Sequence, residues 1–190
     1  MSFCITTAAR AAKEAAIITA TLTAEQKNTI LRDIATSLRI RTAEIINANQ
    51  QDIAQAQADN MDQAMQDRLL LDETRIEAIA VAVEQIADQP EVVGAISELA
   101  TMPSGIEVGQ MRIPLGVIGM IYESRPNVTI DAAALCFKAG NAVILRGGKE
   151  ALHSNMALAA CLHTVFDQHG INRAAVTVIP DPDRGIMNTM

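Results

Sequence analysis

Three short apolar runs, each separated from the next by one helix-length stretch, constrain this chain more than any other feature. "LGVIGMIYES" is followed by "NVTIDAAALCFKAGN", then "AVILR", then "HSNMALAACLHTVFDQHG", then "AAVTVIP". Runs of four to eight apolar residues bounded by turn residues read as buried strands. The intervening stretches read as helices ending at Gly140 and Gly170. Strand–helix–strand–helix–strand order with apolar strands predicts an α/β fold with a parallel sheet covered on both faces. "DPDRGIMNTM" then reads as the start of a further crossover helix. Three strands would leave an exposed sheet edge, so the chain is expected to be the front part of a larger protein.

The region before residue 90 has a different texture. "TLTAEQKNTILRDIATSL" opens with Thr23 and Gln26 at capping-box spacing, and Ile30, Leu31, Ile34 and Leu38 follow at helical spacing. "TAEIINANQQDIAQAQADN" reads as a second helix with Asn60 as its stop. "DETRIEAIAVAVEQIADQP" reads as a third, capped by Asp72, with Ile76, Ile79, Val83 and Ile86 as a core stripe and Pro90 beyond its end. Between the helices and the apolar runs, "ISELATMPSGIEVGQMRIP" predicts two extended segments around a turn at Pro103-Ser104-Gly105. The expected organisation is a helical region at 1–96, an extended hairpin at 97–113 and an α/β region at 114–190.

Composition removes several function classes. Apolar residues make up 49% of the 190 residues, enough for a packed core, but aromatics are only 2%. With 15 basic and 22 acidic residues the net charge is −7, which disfavours nucleic acid and anionic membrane surfaces as partners. No apolar run reaches the ~18 residues of a membrane span. The start "MSFCITTAARAAKEAA" is interrupted by charge and lacks a signal-peptide core. Cys4, Cys136 and Cys161 are odd in number and widely spaced, which suits free thiols and a cytoplasmic setting. His153, His163 and His169 have no metal-ligand spacing with a cysteine, so no metal site is expected.

The glycines of "GNAVILRGGKE" invite a phosphate reading, but the pattern is neither a P-loop nor G-x-G-x-x-G. Local charge says more. Between Arg112 and Lys149 lie five basic and two acidic residues, in a chain that is acidic overall. Arg125 and Arg146 follow the first two apolar runs, where open α/β sheets bind ligands. The planar guanidinium fork suits phosphate, and salt bridging is the plain alternative. Asn127 reads either as a helix N-cap or as a ligand-facing amide. Glu123 reads as an acid–base group or, more simply, a salt-bridge partner of Arg125 or Arg146.

"PLGVIGMIYESRPNVTIDAAALCFKAGNAVILRGGKEALHSN" resembles the core of the γ-glutamyl phosphate reductases, a family within the aldehyde dehydrogenase superfamily; "IYESRPNVT" and "GNAVILRGGKE" carry the resemblance most specifically. "NANQQDIAQA" and "DRLLLDETRI" extend it through the helical region. The resemblance implies N-terminal helices followed by a partial Rossmann-like parallel sheet of the aldehyde dehydrogenase type, covering about the first half of a typical member. It also implies an oligomerisation hairpin, a homo-oligomer at full length, and NADPH as cofactor. The implied reaction reduces L-glutamyl 5-phosphate to L-glutamate 5-semialdehyde in proline biosynthesis, through a cysteine thiolate that none of this chain's cysteines matches. The catalytic domain is expected to be absent and the chain alone inactive. An ungapped match leaves the oxyanion or substrate contact open between Arg125 and Asn127. It implies cofactor contacts at Arg146, Gly147, Gly148 and Lys149. A non-catalytic module binding nucleotide or a full-length partner, or another acyl-phosphate or acyl-CoA reductase, are the alternatives.

Overall fold

The computed structural model describes residues 3–180, so the stretch read as a further crossover helix lies outside the described residues. Five helices come first: α1 (Ile5–Thr19), α2 (Ala24–Ile40), α3 (Thr42–Ala58), α4 (Gln63–Leu69) and α5 (Glu73–Asp88). An antiparallel hairpin follows, β1 (Ile96–Thr101) and β2 (Glu107–Met111). Then come β3 (Val117–Ile121), α6 (Asn127–Lys138), β4 (Ala142–Arg146), α7 (Leu152–Gln168) and β5 (Val176–Val178). The last three strands form one parallel sheet in the order β3-β4-β5.

Local signals place the helix ends. Thr23 and Gln26 form both bonds of a capping box at the start of α2. Asp72 accepts from Arg75 N at the start of α5. Asn60, beyond α3, takes a left-handed φ of 53°, a conformation asparagine tolerates better than most residues. Ile30, Leu31, Ile34 and Leu38 of α2 are buried in one cluster with Ile76, Ile79, Val83 and Ile86 of α5. Truncating one of these large side chains to Ala removes roughly 2–5 kcal/mol.

The parallel sheet is covered on both faces, and β4 shows how. Its five residues are all buried, and the four apolar ones alternate between two clusters. Val143 and Leu145 pack into the main core, with residues of α6 and α7. Ala142 and Ile144 face the other way, onto Ile5, Ala12 and Ala16 of α1. Crossovers of one hand put α6 and α7 on a single face, so the N-terminal helix supplies the second layer.

The first apolar run departs from expectation. It was expected to be a buried strand, yet in β3 Val117 is 36% and Ile121 54% exposed. Among the described residues β3 pairs only with β4, so it is a sheet edge. Ile118 and Met120 pack against the main core, while α1 lies over β4 and leaves the opposite side of β3 partly open.

The hairpin β1–β2 is exposed along both strands. Its register shifts between Ser97 and Ala100, where Glu98 takes a left-handed φ of 55°, the signature of a bulge. Ile96, Leu99, Ile106 and Met111 remain largely open. A two-stranded hairpin with no apolar cover is marginal by itself.

Candidate active site

The loops after β3 and β4 meet at the C-terminal edge of the sheet, and two hydrogen-bond ties hold them together. Ser124 donates its backbone N–H and its hydroxyl to Glu150 Oε1, at 2.9 and 2.7 Å. Burial alone would raise the Glu150 carboxyl, but bonds from its own N–H and from Ser124 outweigh it and hold the group below the usual range. In the second tie the Tyr122 hydroxyl lies 2.6 Å from Thr129 Oγ1, which donates to Asn155 Oδ1 at 2.9 Å. Burial pushes the Tyr122 phenol up to about 12.

Gly147 and Gly148 owe their identity to these ties, not to a bend. Neither has a left-handed φ. A Cβ on Gly147 would lie 2.2 Å from Asn155 Nδ2 and 3.2 Å from the Tyr122 ring. A Cβ on Gly148 would lie 2.0 Å from Glu150 Oε1. The turn is glycine because side chains of the protein occupy the space.

A third anchor was not read from the sequence. Asp52 on α3 is 3% exposed and reaches the start of α7. Its Oδ1 accepts from His153 N at 3.1 Å and lies 2.7 Å from His153 Nδ1. Its Oδ2 accepts from Ser154 N and Oγ, at 2.7 and 2.6 Å. One turn earlier, Asn49 donates to Leu69 O and Ser154 Oγ and accepts from Leu71 N. These two residues share a helix face at i, i+3, and together they fix α4, α5 and α7 around the strand ends. The available signal was two polar residues on the buried face of an otherwise apolar stripe.

The expected site residues divide between two clefts. Arg125, Asn127 and Asp131 line a cleft of about 470 Å³ against Asp67, Arg68 and Arg75. Arg146, Gly148 and Lys149 line a second, of about 560 Å³, with Asp59, Glu123 and Glu150. Ser124 belongs to the second cleft and Arg125 to the first, so the boundary runs between two consecutive loop residues. Arg146 is largely buried, whereas Arg125 and Lys149 are exposed.

One sequence expectation needs correction here. Asn127 is not the N-cap of α6. Pro126 occupies that position with helical dihedrals and no side-chain cap bond forms. Asn127 Nδ2 instead donates to Asp131 Oδ2 at 2.9 Å. The five basic residues from Arg112 to Lys149 are spread over the structure. Lys138 is buried at the far end of α6, where it donates to Asn28 Oδ1 and Ala87 O. Burial holds its ammonium below the usual range.

The thiols are chemically unequal. Burial raises Cys136, and raises Cys161 to about 11. Cys4 is exposed, and hydrogen bonds from Thr7 lower it. Among the described residues no group of three or more His, Cys, Asp or Glu could hold a metal ion, and no helix is long and apolar enough to cross a membrane.

Against known proteins, residues 3–190 match the aldehyde dehydrogenase family. Over 183 residues the chain is 56% identical to a γ-glutamyl phosphate reductase of Shewanella denitrificans, covering 96% of this chain and 44% of that protein. The fold superposes on the crystal structure of a γ-glutamyl phosphate reductase from Thermotoga maritima with a TM-score of 0.93 at 33% identity, covering 96% of this chain and 44% of that one. An NAD-dependent benzaldehyde dehydrogenase from Corynebacterium glutamicum shares the fold at a TM-score of 0.70 and 20% identity, over 90% of this chain and 34% of that one. The chain thus spans about 44% of the length of the first of these relatives. With a match that runs from the first described helix through the parallel strands, the chain belongs to the aldehyde dehydrogenase family.

Proposed function

We propose that this chain forms part of an NADPH-dependent reductase that converts L-glutamyl 5-phosphate to L-glutamate 5-semialdehyde, a step of proline biosynthesis. The carrying observation is its 56% identity, across almost its whole length, to a protein named for reducing γ-glutamyl phosphate. Nicotinamide dependence is a property of the family; the choice of NADPH is part of the proposal.

The residues of the second cleft fit the adenosine side of such a cofactor. Arg146 and Lys149 supply positive charge beside the C-terminal end of β4, and the carboxylates of Asp59, Glu123 and Glu150 line the same cleft. In Rossmann-type sites a nearby Arg accommodates the 2′-phosphate of NADP, whereas a carboxylate at the ribose 2′-hydroxyl suits NAD; Arg146 and Lys149 are what favour NADPH in this reading. The cofactor, when bound, supplies the hydride. Gly147 and Gly148 contribute by letting Asn155 and Glu150 hold this turn rigid.

The first cleft takes the acyl phosphate in this reading. Arg125 stands in the loop after β3 and Asn127 opens α6, where a positive side chain and an amide oppose the charge that develops on the acyl oxygen. Cys136 and Cys161 are too buried and too weakly acidic to attack it, so the nucleophile is assigned to neither. We assign the exposed hairpin, residues 97–113, to contact between subunits, because its open apolar side chains need cover.

The test is an assay of the full-length gene product. NADPH should be consumed on adding L-glutamyl 5-phosphate, with one phosphate released per NADPH. The reading is lost if NADPH is consumed only with acyl-CoA substrates.

A further inference from the structure

Charge in the first cleft is unevenly partnered. Arg75 is engaged, pairing with Asp67 at 2.7 Å and donating to Leu70 O at 3.0 Å. The side chains of Arg68 and Arg125 have no ion pair or hydrogen bond among the described residues. Asp131 meets one polar partner, the neutral amide of Asn127. Beside the Arg75–Asp67 pair, two guanidinium groups and one carboxylate without an ion pair among the described residues thus border about 470 Å³, a volume within the range of small-ligand sites.

A γ-activated amino acid presents the complement: a carboxylate, an ammonium and a phosphoryl anion. We propose that Arg68 and Asp131 read the amino-acid end of the substrate, Arg68 its α-carboxylate and Asp131 its α-ammonium, leaving Arg125 toward the reacting acyl group. This rests on the reaction proposed above. An arginine fork pairs with a carboxylate through two parallel bonds. Asp131 is half-buried, and burial holds its carboxyl above the usual range, so an arriving ammonium supplies a charge partner that Asp131 does not have among the described residues. Arg68 comes from the last turn of α4 and Asp131 from the first turns of α6. The two ends of the substrate would therefore be read by separate elements.

The test runs the full-length reductase in reverse, where aldehyde, phosphate and NADP⁺ give acyl phosphate, NADPH and a proton. Three aldehydes are compared: L-glutamate 5-semialdehyde, 5-oxopentanoate without the ammonium, and 4-aminobutanal without the carboxylate. The wild type should prefer the first over each analogue by roughly 10- to 100-fold in kcat/KM, as expected for one lost charge-assisted hydrogen bond. Asp131→Asn should lose its preference over 5-oxopentanoate and keep that over 4-aminobutanal; Arg68→Gln should do the reverse. KM for NADP⁺ should stay within about twofold in both, showing an intact fold. A wild type that does not distinguish the aldehydes overturns the proposal, as do active variants with unchanged preferences, or with equal losses on all three. Turnover of other aldehydes without that of glutamate semialdehyde overturns the reaction itself, and this proposal with it.

Discussion

Asp52 and Ser154 lie 102 residues apart, yet one carboxylate oxygen of Asp52 receives both the backbone N–H and the hydroxyl of Ser154. The contact closes the first turn of α7 against α3. That turn of α7 follows directly on Gly148, Lys149 and Glu150, which border the second cleft. Removing the carboxylate strands the buried Ser154 N–H and the part-buried His153 N–H, and frees the His153 ring. Asp52→Ala should lower stability by about 2–3 kcal/mol, from lost charge-assisted bonds at a buried site. In the full-length enzyme it should raise KM for NADPH more than KM for glutamyl phosphate. Denaturant melts and steady-state kinetics check both; an unchanged melt would remove Asp52 as the anchor.

Tyr122 is the chain's single tyrosine, so its ionisation can be read directly by absorbance near 295 nm. The folded phenol should titrate at about 12, and at about 10 in denaturant. The neutral form is favoured in the fold, so this stabilisation is complete below pH 10 and is lost as pH rises from 10 toward 12. The loss should approach roughly 1.4 kcal/mol per pH unit within that window. A folded midpoint near 10 would show that the Tyr122–Thr129–Asn155 chain is open to water.

Gly147 tests the packing account of the glycine pair. Gly147→Ala should destabilise by roughly 1–3 kcal/mol, because the new methyl overlaps the Asn155 amide and the Tyr122 ring. Gly147→Ala combined with Asn155→Ser, which opens space, should lose less than the two single changes added together. Strict additivity would mean that the two residues are not in contact.

The three thiols should alkylate unequally at pH 8. Cys4, exposed and lowered by its Thr7 bonds, should react first with iodoacetamide. Cys136 and Cys161 should stay protected until the protein unfolds. Peptide mass spectrometry after a short pulse gives the order, and early labelling of Cys161 would contradict its burial.

The legible part of the fold was whatever depends on neighbours in sequence. The capping box at Thr23, the Asp72 cap and the stripes of α2 and α5 formed as their spacing predicts. The run "AVILR" became the fully buried β4. The run around Val117–Ile121 is as apolar and is an edge strand, because exposure depends on which strands lie beside it. Asn127 misled as a cap because Pro126 had already entered helical dihedrals. The strand ends drew attention to Arg125 and Arg146, which line clefts in the structure. Their division between two clefts depends on α3 and α4, elements some sixty or more residues away in sequence.

That division is the central claim, and a crossed kinetic measurement tests it most directly. In the full-length enzyme, Arg146→Glu should raise KM for NADPH about tenfold or more with little change for glutamyl phosphate. Arg125→Gln should lower kcat/KM for glutamyl phosphate by a similar factor and leave KM for NADPH near wild type. A crossed pattern is expected; both variants impairing the same substrate, or neither impairing any, would show that the two clefts do not serve separate ligands.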